Sequence, residues 1–328
     1  MSTVIYISVV IPTFKRPDLL RRCLEAIKNQ SFVKHCFEVI VVADGPDRLS
    51  AQAVEEMRLA SRELQLNYYE LPYKKGPAAA RNFGWKQSKG ILIAFTDDDC
   101  IPSENWLNNY WNAYQTSEKE KISFTGKVIV PVPERPTDYQ KNVSHLSTAD
   151  FITANCACSR PALELVRGFD EEFPAAWRED SALEFELLKH EVPIVKLRNA
   201  EVTHPVRKAP WGISIQEQKK SMFNALLFKK YPDFYRKKIA SQPVWSYYFI
   251  IILSLMSVLF FVFEFQTAGY ISLGLWLIIM AGFVYKRLKG TDISFSHRME
   301  MILTSLLIPY LSVFWTLRGA IRYKVFFL

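Results

Sequence analysis

Two long uncharged segments near the C-terminus constrain the fold of this chain more than any other feature. Residues 244–263 and 265–285 contain no Asp, Glu, Lys or Arg, and Glu264 alone separates them. A helix rises about 1.5 Å per residue, so about 20 residues cross the roughly 30 Å of hydrocarbon in a bilayer. We therefore predict a tight helical hairpin that lies in a membrane.

A third apolar segment, 301–317, is shorter and contains Pro309. Arg318, Arg322 and Lys324 follow it and would resist transfer across a membrane. We predict a re-entrant or interfacial helix here rather than a third span. Basic residues before the first span and in the loop 286–298 favour the cytoplasmic side. The sequence thus predicts a multi-pass protein of the cell (inner) membrane, in contact with membrane lipids, with its remaining part in the cytoplasm.

That remaining part, 1–240, carries almost all the charge and is predicted to form one domain, followed by a membrane region over 241–328. Short β-branched segments alternate with longer amphipathic ones. The predicted strands cover 4–12, 37–43, 66–71, 91–96, 122–130 and 194–197, and the predicted helices cover 18–30, 50–64, 77–88, 103–117 and 180–190. This alternation predicts an α/β fold with a doubly wound, mainly parallel sheet, which binds ligands beyond the carboxyl ends of its strands.

The composition argues against a nucleic-acid-binding protein and against a disulfide-bonded or zinc-binding one. The formal charge is +8, but the basic residues form no nucleic-acid motif, so we expect no nucleic-acid partner. The five cysteines show no CxxC pair and no zinc-like spacing with histidine. We therefore expect reduced thiols rather than disulfides or a zinc site.

Three consecutive carboxylates, Asp97, Asp98 and Asp99, directly follow the predicted strand 91–96. They would repel one another strongly without a counter-charge. In an extended chain Asp97 and Asp99 lie on one side and Asp98 on the other, so Asp97 and Asp99 can share a cation. Oxygen ligands of this kind favour Mg²⁺ or Mn²⁺, completed by water and substrate phosphates. The alternative is an acidic turn that caps the following helix.

Two further segments carry candidate binding residues. Asp44 follows the strand 37–43 and precedes Gly45, where it could accept hydrogen bonds from a nucleobase or ribose, although an Asp-Gly turn is also common. Small residues open the helix at 77–88, whose N-terminal amides could face an anion. Arg81 lies about one turn into this helix and could contact a diphosphate. The alternative is a capped helix with a surface arginine.

Together these segments resemble family 2 glycosyltransferases of the GT-A fold. The resemblance rests on Val9-Val10-Ile11-Pro12-Thr13-Phe14-Lys15-Arg16, Ala43-Asp44-Gly45, Ala80-Arg81-Asn82 and Asp97-Asp98-Asp99. It implies that Pro12 and Thr13 line the nucleotide site, that Asp44 binds the nucleoside, and that Asp97 and Asp99 hold the metal on the diphosphate. Asp98 and Arg81 are assigned to the same nucleotide-sugar site.

The second half extends the resemblance. Gly168-Phe169-Asp170 and Arg178-Glu179-Asp180 are similar to family elements, and the latter implies that Asp180 is the catalytic base. His204 resembles a position where some members place a metal or diphosphate contact. For Asp180 the alternative is a first-turn acid, and for His204 a structural histidine. One base opposite one leaving group implies inversion at the anomeric carbon.

A departure from the family bears on processivity. Processive members carry a Gln-x-x-Arg-Trp motif, which is absent here, so we expect transfer of one sugar per encounter. The expected donor is a nucleotide sugar, with a UDP-sugar favoured, and the expected acceptor is lipid-linked or a glycan. The rival hypotheses are a sugar-phosphate nucleotidyltransferase, which would need a Gly-rich loop after the first strand, and a non-catalytic membrane scaffold.

Overall fold

A computed structural model describes residues 4–327. The first part of the chain contains β1 (Ile7–Thr13), α1 (Pro17–Lys28), β2 (Phe37–Ala43), α2 (Arg48–Ala60), β3 (Gln65–Glu70), α3 (Pro77–Gln87), β4 (Leu92–Thr96), β5 (Ile101–Pro102), α4 (Trp106–Gln115) and β6 (Ser123–Ile129). The second part contains α5 (Asp138–Ser144), β7 (Asn155–Ser159), α6 (Arg160–Val166), α7 (Glu179–Lys189), β8 (Ile194–Thr203), α8 (Ile213–Glu217), α9 (Met222–Lys230), α10 (Pro232–Lys238), α11 (Trp245–Val262), α12 (Gln266–Leu288) and α13 (Phe295–Tyr323).

The strands form one sheet in the order β3-β2-β1-β4-β7-β6-β8-β5. The strands β1 to β4 pair with one another in parallel, and β6 is parallel to β8. The strand β7 runs antiparallel to both β4 and β6, and β5 runs antiparallel to β8. The predicted mainly parallel sheet is confirmed, with a mixed second half that periodicity did not reveal.

Helices cover both faces of this sheet. Val9 and Ile11 of β1 pack in a core with Leu20 and Leu24 of α1, whereas Val10 packs in a second core with Leu163 of α6. Alternate residues of one strand therefore enter different cores, as the period of two requires. All residues of β1, β2 and β4 are buried, which is typical of parallel strands covered on both sides. The doubly wound architecture is confirmed.

Strand pairing opens a crevice at the carboxyl edge of the sheet. The pairing of β1 with β2 continues to Thr13, but the pairing of β1 with β4 stops at Val10. Pro12, which has no backbone N–H, lies just beyond that point. The chain leaves β1 toward β2 and β3 and returns on the other side to β4, so β1 and β4 flank the topological switch point. The residues that follow β1, β2 and β4 therefore meet at one edge.

Several predicted bounds differ from the structure. The strand β8 ends at Thr203 rather than at residue 197, because exposed polar residues such as Arg198 and Asn199 hide its sheet pairing from a hydrophobicity pattern. Since β8 runs in the same direction as β4, its extension brings His204 to the carboxyl edge of the sheet. The helix α4 begins at Trp106 rather than at residue 103, and α7 begins at Glu179.

The described chain divides into two compact units. One contains the residues up to Pro131 together with Ser144–Val206, and the other contains Val132–Val143 and the residues from Arg207 onward. The first unit holds the sheet. The predicted division into domains at residue 240 stays a prediction, because compactness by itself does not define domains that fold alone.

In the second unit, α11, α12 and α13 are long and apolar enough to cross a membrane by length and composition. The turn at Glu264 joins α11 to α12, and Ser257 Oγ donates a hydrogen bond to the Gly269 carbonyl 3.2 Å away. A helical hairpin is therefore present where the sequence predicted one. The helix α13 is continuous through Pro309 and longer than the predicted 301–317. Its re-entrant or interfacial placement stays a prediction.

Candidate active site

The aspartates that follow β4 form a tight turn at the carboxyl edge of the sheet. The Cys100 N–H donates to the Asp97 carbonyl at 3.1 Å and closes the turn. The Asp97 side chain is 27% exposed, whereas Asp98 and Asp99 are buried. Charges of Arg81, His204 and Arg16 lower the pKa of Asp97, although its burial acts in the opposite direction. The three carboxylates therefore lie in different environments.

Asp97, Asp99, Cys100 and His204 could hold a metal ion. One ligand atom from each lies within 4.8 Å of all the others. His204 Nε2 is 3.6 Å from Asp99 Oδ1, and the buried His204 Nδ1 has no hydrogen-bond partner among the described residues. Two carboxylates and an imidazole suit Mg²⁺ or Mn²⁺, which take oxygen ligands and, for Mn²⁺, imidazole nitrogen. The donor set therefore fits the metal that the sequence predicted.

Cys100 was not predicted in this cluster. Burial raises the pKa of its thiol, and the charges of Asp97 and Asp99 add to that shift. A protonated thiol is a poor ligand, and sulfur is a soft donor that hard cations do not prefer. Asp97, Asp99 and His204 therefore suit such a cation better than Cys100 does, and their role as metal ligands stays a prediction. The position of Cys100 directly after three aspartates was the only sequence signal that could have placed it in this cluster.

Asp98 faces β1 rather than the metal cluster. Thr13 Oγ1 donates to Asp98 Oδ2 at 2.7 Å, and an Arg16 guanidinium nitrogen lies 3.0 Å from Asp98 Oδ1. Burial raises the pKa of Asp98 to about 7, against the opposing charge of Arg16. Asp98 and Thr13 thus join β4 to β1 across the crevice, and Pro12 lies beside them in the strand. Sequence reasoning assigned no role to Arg16.

Asp44 holds a loop. Its carboxylate accepts hydrogen bonds from the backbone N–H of Lys75 at 2.7 Å and of Gly76 at 2.9 Å. Gly76 has φ of 105°, and a Cβ there would lie 2.3 Å from the Pro174 carbonyl oxygen, so glycine is required. Asp44 is 4% exposed. The structure therefore places Asp44 at the edge of the sheet but shows its carboxylate occupied by the loop before α3.

Arg81 is buried, at 2% exposure, between two carboxylates. One guanidinium nitrogen donates to Asp97 Oδ1 at 2.7 Å and the other lies 3.3 Å from Glu179 Oε1. The guanidinium also lies 5.5 Å from the centre of the Phe169 ring. Burial lowers the pKa of Arg81, but the two carboxylates outweigh it and raise the pKa above its usual value. Arg81 is not the surface arginine of the alternative interpretation.

The first turn of α7 carries adjacent acids in unlike environments. Glu179 is buried, and burial together with the neighbouring Asp180 raises its pKa to about 7 against the opposing charge of Arg81. Asp180 is partly exposed, and its Oδ1 accepts a hydrogen bond from the Ser181 N–H at 2.6 Å. Burial also raises the pKa of Asp180, against that hydrogen bond. Of the two, Asp180 is the one that a substrate can reach.

The loop that leads into α7 is held by hydrogen bonds from α3. Asn82 accepts a hydrogen bond from the Phe169 N–H and donates to the Phe169 carbonyl, both at 2.8 Å. Gly168 has φ of 75°, and a Cβ there would lie 2.4 Å from the Asn82 amide oxygen. The helix α3 therefore fixes the Gly168-Phe169-Asp170 turn that precedes the α7 acids.

The structure brings most of the predicted residues together. Asp97, Asp99 and His204 share one cluster, and Arg81 contacts both Asp97 and Glu179, the residue before Asp180. Thr13 contacts Asp98, while Asp44 contacts the loop at 75–76 instead. The catalytic and binding roles of these residues stay predictions. Sequence reasoning missed Arg16 and underrated Glu179, because partners distant in sequence give no local pattern.

Sequence comparison finds similar proteins among glycosyltransferases. Residues 8–164 match the profile of Glycosyl transferase family 2. Glycosyltransferase AglE of Haloferax volcanii is 33% identical over 106 residues, which cover 32% of this chain and 34% of AglE. A GalNAc(5)-diNAcBac-PP-undecaprenol beta-1,3-glucosyltransferase of Campylobacter jejuni is 31% identical over 93 residues, covering 28% of this chain and 29% of that protein. The matches thus span about a third of each relative.

Solved structures share the fold. Mannosyltransferase PcManGT from Pyrobaculum calidifontis, in complex with GDP-Man and Mn²⁺, gives a TM-score of 0.59 at 15% identity over 96% of this chain and 87% of that one. TarS 1–349 of S. aureus in complex with UDP-GlcNAc gives a TM-score of 0.53 at 17% identity over 98% and 93%. These likenesses establish a GT-A fold. Through its residues 8–164, the chain belongs to glycosyl transferase family 2.

Proposed function

We propose that the chain is an inverting glycosyltransferase that moves one sugar from a nucleotide-diphosphate sugar to a hydroxyl of a lipid-linked or glycan acceptor. One observation carries this proposal. A cluster of Asp97, Asp99 and His204 that could hold a metal ion is linked, through Arg81 and Glu179, to the helix that presents Asp180. Sugar transfer needs a stabilised leaving group and a base for the attacking hydroxyl, and this arrangement supplies residues for both.

The metal would be held by Asp97, Asp99 and His204. A bound Mg²⁺ or Mn²⁺ supplies positive charge that stabilises the departing diphosphate. Asp180 accepts the proton of the acceptor hydroxyl. Its raised pKa favours this role, because a general base works best with a pKa closer to the working pH. Ser181 holds the Asp180 carboxylate in position through its backbone N–H.

The donor is held along the β1–β4 crevice. We assign the nucleotide to the segment with Pro12 and Thr13 and to the loop that Asp44 anchors. Asp98 braces this side by its bond to Thr13. A UDP-sugar is the favoured donor, consistent with the UDP-GlcNAc bound by TarS, although PcManGT binds GDP-Man. A donor screen must therefore include both nucleotides.

The acceptor is proposed to be lipid-linked and to meet the enzyme at the cytoplasmic face of the inner membrane. The helices α11 and α12 supply the membrane attachment. Lys286 and Arg287 in the last turn of α12, and Lys289 just after it, lie on the side that positive charge favours. The name of the Campylobacter relative includes a polyprenyl diphosphate, which is an acceptor of this chemical class.

The test is a donor screen with the purified full chain in detergent. UDP-, GDP- and dTDP-sugars would each be supplied with Mn²⁺ and a membrane lipid extract, and release of nucleoside diphosphate and labelled lipid would be followed. We expect one nucleotide class to support transfer, with inverted anomeric configuration in the product by NMR. Retention of configuration, or release of pyrophosphate from a nucleoside triphosphate, would contradict the proposal.

The role of Asp180 has its own test. Asp180→Asn keeps the size of the side chain but cannot take a proton, so kcat should fall by about 10²–10⁴-fold while the Kd for the donor is retained. Glu186→Gln, on the same helix α7 but in its last turns, is the matched control and should leave kcat unchanged. A loss in Asp180→Asn of less than about threefold would move the base elsewhere, with Glu179 and Asp170 as the next candidates.

A further inference from the structure

The two arginines at the metal cluster lie in different environments. The Arg16 side chain is 32% exposed, whereas the Arg81 side chain is 2% exposed. The sequence predicted that Arg81 contacts the diphosphate of the donor. We propose instead that Arg81 is a positioning residue, which fixes the metal ligand Asp97 and the first turn of α7 and does not bind the donor. This inference rests on the proposed function.

The two terminal guanidinium nitrogens of Arg81 contact protein carboxylates, and its Nε is buried without a hydrogen-bond partner among the described residues. One end of its guanidinium donates to Asp97 Oδ1 at 2.7 Å, and the other end lies 3.3 Å from Glu179 Oε1. The Phe169 ring lies against it, with a centroid distance of 5.5 Å. To reach a ligand in the open crevice, the guanidinium would have to leave both carboxylates and uncover them. Breaking a buried ion pair in this way is strongly unfavourable, because it leaves buried charges without compensation.

The fork shape of arginine explains why this residue type is needed. A planar guanidinium presents several N–H groups in fixed directions, so it can hold two carboxylates on different elements at once. Here those elements are the turn after β4 and the helix α7. Asp97 has its second oxygen available for the cation, since its side chain is 27% exposed. Arg81 therefore orients the metal ligand Asp97 by holding the carboxylate oxygen that does not face the cation.

The same contact sets the position of the base. Glu179 is anchored on Arg81, and Asp180 is the next residue in the first turn of α7. The Gly168-Phe169-Asp170 turn, pinned by Asn82 one residue beyond Arg81, supports this approach to α7. Through Arg81, α3 thus fixes the distance between the metal cluster and the carboxylate that receives the proton.

Measurements of Mn²⁺ affinity and nucleotide affinity distinguish a positioning role of Arg81 from a direct contact with the diphosphate. In the full chain without nucleotide, we expect Arg81→Lys to raise the Kd for Mn²⁺ about tenfold or more, as measured by Mn²⁺ EPR, because partners that orient a ligand typically affect metal affinity 10–100-fold. In EDTA, the Kd for UDP or GDP, whichever the wild type binds, should change by less than about twofold. A direct diphosphate contact would give the opposite pattern, with weaker nucleotide binding in EDTA and unchanged Mn²⁺ affinity.

Matched variants keep the test decisive. Arg21→Lys on α1, an exposed arginine paired with Glu56, should change neither Kd. If Arg81→Lys does not fold, the double substitution Arg81→Gln with Glu179→Gln removes the cation and one partner together and should show the same loss of Mn²⁺ affinity. Absence of Mn²⁺ binding by the wild-type chain would overturn the proposed metal site itself. Wild-type binding with unchanged affinity in both Arg81 variants would overturn only the positioning role.

Discussion

The helices α1 and α11 contain similar apolar side chains and expose them to opposite degrees. In α1, Leu20 and Leu24 are fully buried against the sheet. In α11, Val258 and Leu259 are 62% and 53% exposed. Exposure of such side chains to water costs about 25 cal/mol per Å² of apolar surface. The exposed surface of α11 therefore favours an apolar environment, in keeping with a helix that is long and apolar enough to cross a membrane.

The polar side chains of the two regions also differ in what they contact. In the first unit they collect at the carboxyl edge of the sheet, where a substrate can reach them. In the second unit Arg287 lies at the end of α12 and bonds to Asp138 at 2.8 Å, to Thr304 at 2.7 Å and to Ser305 at 3.0 Å. These contacts join α12 to α5 and α13. The first network can serve chemistry, whereas the second holds helices together.

Cysteine labelling of the membrane topology tests the contrast between the two regions most directly, because each position is expected either to react or not to react. In a Cys36→Ser background, which removes the one partly exposed native cysteine among those described, Glu264→Cys should react with a membrane-impermeant maleimide in intact spheroplasts. Lys289→Cys should react only after permeabilisation, because positive charge favours the cytoplasmic side. The reversed labelling pattern would place the sheet outside the cytoplasm, and labelling of both without permeabilisation would contradict the span over α12.

The metal cluster gives the next largest effect. Asp99→Ala removes a ligand and should lower kcat about 10³-fold, since metal stabilisation is worth several kcal/mol and each 1.4 kcal/mol is a factor of ten. EDTA should abolish wild-type turnover, and added Mn²⁺ or Mg²⁺ should restore it. Asp18→Ala, on the exposed side of α1, is the control and should retain full activity. Wild-type activity in EDTA would remove the metal from the mechanism.

A smaller effect is expected when one leucine is truncated in α1 and one in α11, and their losses of stability are compared. Leu24→Ala should destabilise the protein by about 2–5 kcal/mol, because it opens a cavity in a fully packed core. Leu259→Ala in α11 removes the same atoms from an exposed surface and should cost about 0.5 kcal/mol or less in detergent. The measurement is the thermal midpoint of each variant in the same detergent. Equal losses would mean that α11 is packed against protein rather than lipid.

Much of this architecture could be predicted because its signals are local. The alternation of elements gave the mainly parallel sheet, and the uncharged runs gave the helical hairpin. The mixed half of the sheet was not predictable, because the exposed polar residues of β8 mask its pairing with β6. The contacts of Arg81 and Asp44 were also hidden. Asp97 is 16 residues from Arg81 and Glu179 is 98 residues away, so neither partner leaves a mark in the neighbouring sequence.

The smallest expected effects concern two helix caps, one in each unit. Asp47 caps α2 and accepts from both the N–H and the hydroxyl of Ser50 as well as from the Lys15 N–H. Ser294 caps α13. Among the described residues, its hydroxyl oxygen accepts one backbone hydrogen bond, from the His297 N–H at 3.3 Å, and the hydroxyl donates to Asp292. The two positions therefore have the same geometric role with different numbers of partners.

Removal of a cap typically costs about 1 kcal/mol, with a range of about 0.5–2. We expect Ser294→Ala to lie near the middle of this range and Asp47→Ala at or above its upper end, because Asp47 also anchors the loop between β1 and α1 through Lys15. Thermal midpoints measured side by side would rank them, with Ser294→Thr as a control that keeps the capping oxygen and should be nearly neutral. If Asp47→Ala and Ser294→Ala cost the same, the cap alone sets the loss and the Lys15 contact adds nothing. If Ser294→Ala costs nothing, the start of α13 is stabilised by its packing rather than by its cap.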